Sequence, residues 1–393
     1  MDNGYIYAIQ TVKDYPMVAK RKLIRNLFDE DILTKKEDEE GKIYLSDEND
    51  AFLKCLHENK ELVKKIEEWE FKKSYKYSLL YTYVEDGSEK EKIEELIRTG
   101  KLIKYRELDN GEYEELHDIV EAPSYLEEGG LEFIKFNLKV EAIDANDMQH
   151  KKRYPVLVCI YHDMNIIEIR FDSLGTIFGK DKMDFVYGVI GWIQLYLYEN
   201  LQTLDLDDIV EEMRRKAQKS NEITIVEQDM RLSSGGTATI GIGKSNSKSL
   251  PFLGELKEIM DKYNNDLQQI ANLQKELEKF TIENAELAKC LNKYRTQLPK
   301  IRDLRQELED FILEKEELSE YPWTVFRFEK ENYDTKIIKN YKNTEDWLIQ
   351  HFYSGRLSNI GKERMENVTR YINNIRKDLE EKNIKCDPTG EID

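Results

Sequence analysis

The stretch Tyr154-Pro155-Val156-Leu157-Val158-Cys159-Ile160-Tyr161, His162-Asp163-Met164-Asn165, Ile166-Ile167-Glu168-Ile169-Arg170-Phe171 decides the fold. Two runs of β-branched and aromatic residues flank a short polar turn, which is the pattern of an antiparallel β-hairpin. The first run is apolar on both faces, whereas the second sets Glu168 and Arg170 on one face, because side chains alternate along a strand. The hairpin predicts an antiparallel sheet with helices packed against one side.

Working outward, residues 131–142 and 75–84 read as further strands by their content of aromatic and β-branched residues. Residues 5–12 alternate and read as a first strand. Residues 17–28 form an amphipathic helix with Val18, Leu23, Ile24 and Leu27 inward. Ser46-Asp47-Glu48-Asn49 caps a helix that runs to about residue 65, with Phe52, Leu53, Leu56, Leu62, Val63 and Ile66 on one face. A short helix over 89–97 ends at Gly100, and residues 107–130 fade into acidic, loop-like sequence. Helices at 183–200 and 206–219, the second with Ile209, Val210 and Met213 inward, and strands at 222–228 and 237–242 complete an α+β N-terminal body over residues 1–245.

A second region, 251–320, has a different pattern. Pro251 suits the first turn of a helix, and large or apolar residues follow at Leu253, Leu256, Met260, Tyr263, Leu267 and Ile270. This three-four alternation is a coiled-coil seam. It slips by a three-residue step to Leu273 and resumes through Leu277, Phe280, Asn284, Leu287, Leu291, Tyr294 and Leu298. Asn284 falls on the seam, where an amide fixes the register of pairing at some cost in stability. Unbroken over 253–297, such an arm would reach roughly 67 Å at about 1.5 Å per residue. Pro299 interrupts it, so the arm bends there or turns back as a helical hairpin.

From residue 322 onward a small α+β C-terminal module is expected. It has strands at 323–328 and 336–338, a helix capped by Thr344-Glu345-Asp346 and running through Phe352, and a final amphipathic helix over 360–382. Between 323 and 385, thirteen Lys and Arg face ten Asp and Glu. This module is therefore slightly basic within a chain whose net charge is −19. Such a charge argues against coating nucleic acid or an anionic membrane through the field of the whole protein. No run of about 20 apolar residues occurs, the most apolar stretch, 185–198, being too short to span a bilayer comfortably. The N-terminus lacks the basic and apolar regions of a signal peptide, and richness in Lys, Ile, Asn, Glu and Tyr is what an AT-rich genome encodes, which makes a bacterial or phage cytosol, a cytoplasmic setting, the default. The four cysteines form no C-x-x-C pair and the five histidines have no ligand spacing, so neither a metal nor a cofactor is expected.

Candidate chemistry is sparse. Gly236 to Ser245 ends in Gly243-Lys244-Ser245, but the first glycine of a phosphate loop is replaced by Ala238 and no helix pattern follows. Glu132 and Lys135 are three apart and fall on opposite faces of a strand. Glu168, Arg170 and Asp172 share a face, which leaves Glu168 and Asp172 as weak acidic-site candidates with Arg where a metal-dependent nuclease would carry Lys. The plainer reading is an exposed, salt-bridged strand face. Cys159 reads as a core thiol and His162 as an exposed turn residue. Basic clusters at His150-Lys151-Lys152-Arg153, at Arg214-Arg215-Lys216 with Lys219, and at Arg356, Lys362, Arg364, Arg370, Arg376 and Lys377 suit phosphate contacts. Tyr333, Tyr341, Trp347, His351 and Tyr353 are interleaved near the last set, as base stacking requires. Solvated helix faces give the same pattern.

The leading expectation is a non-enzymatic interaction or scaffold subunit that associates, with itself or a partner protein, through a seam of Leu256, Met260, Leu267, Ile270, Leu277, Asn284, Leu287, Leu291 and Leu298. The alternative is a nucleic-acid-binding sensor or nuclease of bacterial antiviral defence, acting through the basic C-terminal module. A nucleotide-dependent enzyme using the 236–245 loop is a third reading.

Overall fold

The computed structural model describes residues 3–15, 17–37, 39–46, 51–59, 61–105, 123–143, 149–174, 182–219, 221–231, 237–241, 293, 320–330, 332–339, 346–352 and 361–386. The seam expected at 253–318 lies outside the described residues, as does Arg356. The chain divides into two compact units, Met1–Glu212 with Glu331–Asp393, and Met213–Lys330. The expected module at 322–393 is thus shared between them. Among the described residues no helix is long and apolar enough to cross a membrane.

The first unit runs α1 (Asn3–Asp14), α2 (Met17–Asp29), β1 (Leu33–Thr34), β2 (Ile43–Tyr44), α3 (Ala51–Glu58), α4 (Glu61–Lys72), β3 (Tyr77–Thr82), α5 (Glu89–Arg98), β4 (Ile103–Lys104) and β5 (Ser124–Glu128). It continues through β6 (Leu131–Ile143), β7 (Gln149–Tyr161), β8 (Ile166–Phe171), α6 (Lys182–Tyr196) and β9 (Gln202–Thr203). Helix α7 (Asp207–Lys219) carries the chain into the second unit, with β10 (Ile223–Arg231), β11 (Thr237–Gly241) and β12 (Trp323–Phe328). The first unit then resumes with β13 (Tyr333–Ile338), β14 (Leu348–His351) and α8 (Gly361–Cys386).

The expected hairpin is the centre of the first unit's sheet. Strand β8 pairs with β7 from Phe171 opposite Val156 to Ile166 opposite Tyr161, and Asn165 closes the turn in the left-handed region at φ 53°, which Asn tolerates better than most residues. The order across the sheet is β13-β14-β3-β8-β7-β6-β5-β4, with β9 on the side of β3. All these pairings are antiparallel except β4 with β5. The described residues therefore form an α+β fold with a mixed sheet.

Alternation gives the sheet two unlike faces. On one, Val156, Val158, Ile160, Ile167, Ile169 and Ile134 meet Val186, Val189, Ile190 and Ile193 of α6 and Ile93 and Leu96 of α5 in a continuous apolar core. At about 25 cal/mol per Å² of apolar surface, such burial is the main force that assembles the sheet. The opposite face is crossed by α1 and α4, and by α8, whose Met365 Sδ lies 3.3 Å from the amide of Tyr75. Helices therefore cover both sides, not one. A separate core of Val12, Leu23, Leu27, Leu56, Leu62 and Ile66 joins α1 to α4 among themselves.

Several local expectations are corrected. Residues 5–12 belong to α1, where Ile9 and Val12, with Tyr15 just past its end, recur three apart and are buried; that spacing outweighs the β-branched content. Val18 is 38% exposed, so Ala19 and not Val18 joins Leu23 and Leu27 inward. The helix expected to run unbroken to residue 65 is two, α3 and α4. Asn59 intervenes, donating its side-chain amide to the Cys55 carbonyl, the competition with backbone bonding that makes Asn a helix terminator. Part of the acidic loop-like stretch is β5. The helix expected through Phe352 is strand β14, which hydrogen-bonds to β13 on one side and β3 on the other. Here tertiary pairing overrides local propensity.

In the second unit β10 is central, with β11 and β12 antiparallel on its two sides. A bridge between Arg231 and Glu320 extends the β12 side, with backbone hydrogen bonds of 2.8 and 3.0 Å.

Candidate functional site

The polar face of the first unit's sheet concentrates its charge. One cluster lies where α1 and α4 cross β6 and β7. Glu67 and Glu70, three apart on α4, face the same way. Lys135 of β6 places its ammonium 3.2 Å from Glu70 and 3.5 Å from Glu67, and Arg153 of β7 binds Glu70 at 2.8 Å and also pairs with Glu67. Tyr15 donates to Glu70; burial, then the Glu70 charge, pushes its phenol far up. The hydroxyl of Thr11 donates to the Arg153 carbonyl and accepts from its amide, which docks α1 on the edge of this cluster. One turn beyond Glu70, Lys73 pairs with Asp172 and sits 3.6 Å from the centre of the Tyr75 ring.

The second cluster is centred on Glu168 and Arg170 of β8, both 0% exposed. Arg170 Nη2 donates to Glu168 at 2.7 Å and to the Tyr161 hydroxyl at 2.8 Å, and that hydroxyl donates to Glu168 at 2.9 Å. Burial by itself raises the Glu168 carboxyl, but the Arg170 charge and hydrogen bond outweigh it and hold the group below its ordinary range. On the neighbouring strands His351 Nε2 lies 2.9 Å from Ser78 Oγ, and its ring stacks on Tyr333. Burial pulls the His351 imidazole down to about 4, so it is neutral at pH 7. Arg170 Nε and Nη1, Glu168 Oε1 and His351 Nδ1 have no hydrogen-bond partner among the described residues.

Glu168 and Asp172 thus stand on one face, as alternation requires, but that face is buried, not exposed, and the two carboxylates belong to different ion-paired clusters. Asp172 is held by Lys73 and accepts the Lys76 amide at 3.0 Å. Cys159 is fully buried on the same face, with its thiol pushed up to about 12 by burial. His162, in the turn, is hydrogen-bonded to Tyr83 and paired with Glu132. Glu132 and Lys135 fall on opposite faces as expected. No group of three or more His, Cys, Asp or Glu among the described residues is placed to hold a metal ion.

The basic residues of α8 are largely engaged within the unit. Lys362 lies 3.5 Å from Glu128 and over the Phe133 ring, and Arg364 lies over Tyr333. Arg370 binds Asp163 at 2.7 Å and Arg376 donates to the Met164 carbonyl at 2.9 Å, whereas Lys377 is exposed. Among the interleaved aromatics, Tyr333, Trp347 and His351 are buried; Tyr341 and Tyr353 lie outside the described residues. In the other basic clusters Lys152 pairs with Asp14 at 3.1 Å and Arg214 stacks on Tyr321. Of the 236–245 loop, residues 237–241 are β11 and the rest lies outside the described residues.

The sequence signal for the first cluster was available, since Glu67, Glu70 and Lys73 recur every three residues, but it reads equally as a solvated helix face. Nothing local marked Ser78 and His351 as neighbours, because 273 positions separate them. Chemically, the first cluster holds α4 to β6 and β7 and the second ties β7 to β8 through charge-assisted hydrogen bonds, which are more directional than apolar contacts. Searches against protein-family models, curated proteins and solved structures returned no match to the chain.

Proposed function

We propose that the protein is an interaction subunit, a braced α+β body carrying a coiled-coil segment through which copies of the chain associate. The observation that carries this reading is the anchoring of residues 242–319. Gly241 at the end of β11 lies opposite Glu227 of β10, and Glu320, which follows the segment, is bridged to Arg231 at the other end of that strand. With strands about 4.8 Å apart and a rise of about 3.4 Å per residue, these anchors are roughly 17 Å from each other. An insertion that begins and ends on one three-stranded sheet can extend away from it without disturbing the pairing. The seam from Leu256 to Leu298 gives that insertion an apolar stripe to bury, and Asn284 gives it a register.

The contacts of α8 bear on the alternative. Lys362, Arg370 and Arg376 tie this helix to β5 and to the β7–β8 turn, so those charges are committed within the body in place of facing phosphate. The buried pairs on the sheet favour one arrangement of helices over others, since a misplaced helix would strand a charge. A body of that kind suits a platform that presents an arm.

The test is the mass of the full chain in solution, by sedimentation or light scattering over a range of concentrations. Wild type is expected to associate, and Leu267→Asp/Leu277→Asp/Leu287→Asp to run as a monomer with an unchanged circular dichroism signal from the body. A strictly monomeric wild type, or association that survives the triple substitution, would overturn the reading.

A further inference from the structure

The β7–β8 turn has an unusual number of ties for a hairpin tip. His162 places Nδ1 3.2 Å from the Tyr83 hydroxyl and Nε2 3.3 Å from Glu132 of β6, with Glu85 3.8 Å from Nδ1. Glu89, at the start of α5, adds its field to the same imidazole. The next residue, Asp163, holds Arg370 of α8 at 2.7 Å. The Met164 carbonyl accepts from Arg376, one and a half turns further along that helix, at 2.9 Å, and the Asn165 carbonyl accepts from the Tyr83 amide. Four consecutive residues thus join β6, the segment after β3 and the middle of α8.

We propose that this turn is a proton-controlled clamp, in which the charge on His162 sets how firmly the hairpin tip, and through it the middle of α8, is held to the body. Protonated His162 donates from both ring nitrogens and sits among the carboxylates of Glu132, Glu85 and Glu89, the only positive group in that set. Neutral His162 keeps a single N–H, so one of its two contacts changes from donor to acceptor and the attraction to three carboxylates is lost. Tyr83 can satisfy a bare Nδ1 by donating its hydroxyl; Glu85 cannot. The tip then keeps only uncharged contacts of His162 with Tyr83 and Glu132, beside Asp163–Arg370 and the bonds to the Met164 and Asn165 carbonyls. Arg370 is 42% exposed and its pairing with Asp163 is of the solvent-screened kind that contributes little by itself.

The Glu132 carboxylate, 3.3 Å away, is the largest influence on His162; it outweighs burial and, with the nearby carboxylates, raises the imidazole above its ordinary value. A raised folded value means that the contribution is fully present below about pH 6.5, the unfolded value, and is lost as pH rises through the folded one. The clamp is therefore closed in mild acid and released toward alkaline pH. Glu132 is the positioning residue, and Arg370 and Arg376 transmit the state of the tip to α8.

The experiment uses the full chain. The His162 titration is followed by NMR of its imidazole, and amide hydrogen exchange, corrected for the intrinsic effect of pH, is read over the turn and over the middle of α8. Wild type is expected to titrate above the free imidazole value and to lose protection several-fold in both segments as His162 deprotonates. His162→Gln, which keeps a neutral hydrogen-bonding side chain, should abolish the pH dependence, and Glu132→Gln should lower the titration point. Arg370→Ala/Arg376→Ala, which removes both side-chain ties from α8 to the turn, should leave the turn responsive while uncoupling α8. A His162 that titrates at or below the free value, α8 protection independent of pH, or an unchanged pH response in His162→Gln would each overturn the proposal.

Discussion

Replacing Arg170 with Met is the perturbation that discriminates most sharply between a polar face that specifies packing and one that is merely tolerated. Arg170 and Glu168 are both fully buried, and their mutual bond and the Tyr161 hydroxyl are the contacts that hold the carboxylate charge. Arg170→Met keeps the volume but leaves Glu168 with Tyr161 as its remaining partner. Breaking a buried pair in this way costs about 3–5 kcal/mol, whereas replacing both partners by apolar residues of similar size is neutral or stabilising. In a body of this size each kcal/mol lowers the melting temperature by about 2 °C, so the single variant should melt roughly 6–10 °C below wild type. Glu168→Leu/Arg170→Met should recover most of that loss. Thermal and urea unfolding followed by circular dichroism measure all four corners of the cycle. The deficit of Arg170→Met should also shrink in acid. Glu168 is held low in wild type, so its contribution is present above the unfolded value of about 4.3 and disappears as pH falls below it. In the variant the carboxyl protonates readily. A single variant within about 1 kcal/mol of wild type, or a double variant no more stable than the single, would refute the reasoning.

Other outcomes follow from the same geometry. The neutral, buried His351 should make the body lose stability as pH falls from about 6.5 toward 4, because the unfolded chain takes up the proton first; the total is on the order of 3 kcal/mol, and urea titrations of His351→Gln should show a flatter profile across that window. Cys159, buried and with its thiol pushed up to about 12, should react with iodoacetamide only on unfolding, which mass spectrometry of the 149–161 peptide with and without urea will show. Gly100 ends α5 at φ +71°, a conformation that disfavours a Cβ, so Gly100→Ala should cost about 1 kcal/mol in urea unfolding despite the open space around it.

How much of this was legible without coordinates depends on the distance over which each feature is decided. The hairpin at 154–171, helices α2, α5, α6 and α7 and the strands β3, β6, β10, β11 and β12 follow from residues within a dozen positions of one another, through the periods of two and 3.6 that side chains impose. The parity that sets Glu168, Arg170 and Asp172 on one face is of the same local kind. Which face it is was not local. A strand carrying Glu and Arg reads as solvent-facing until α1, α4 and α8, drawn from both ends of the chain, are laid across it. The same distance explains β14, whose propensity read as helix and whose two hydrogen-bonded neighbours lie far away in sequence.

By itself, then, the sequence determined the element periods, the hairpin and the acidic balance, all of which are properties of neighbours along the chain. Only the tertiary structure decided that the polar strand face is interior, that Arg370 and Arg376 of α8 bind the β7–β8 turn, and that Gly241 and Val325 flank the same residue of β10. The physical reason is that burial is a collective quantity. A charge costs several kcal/mol or almost nothing according to what covers it, and the covering elements are chosen by the packing of the whole body.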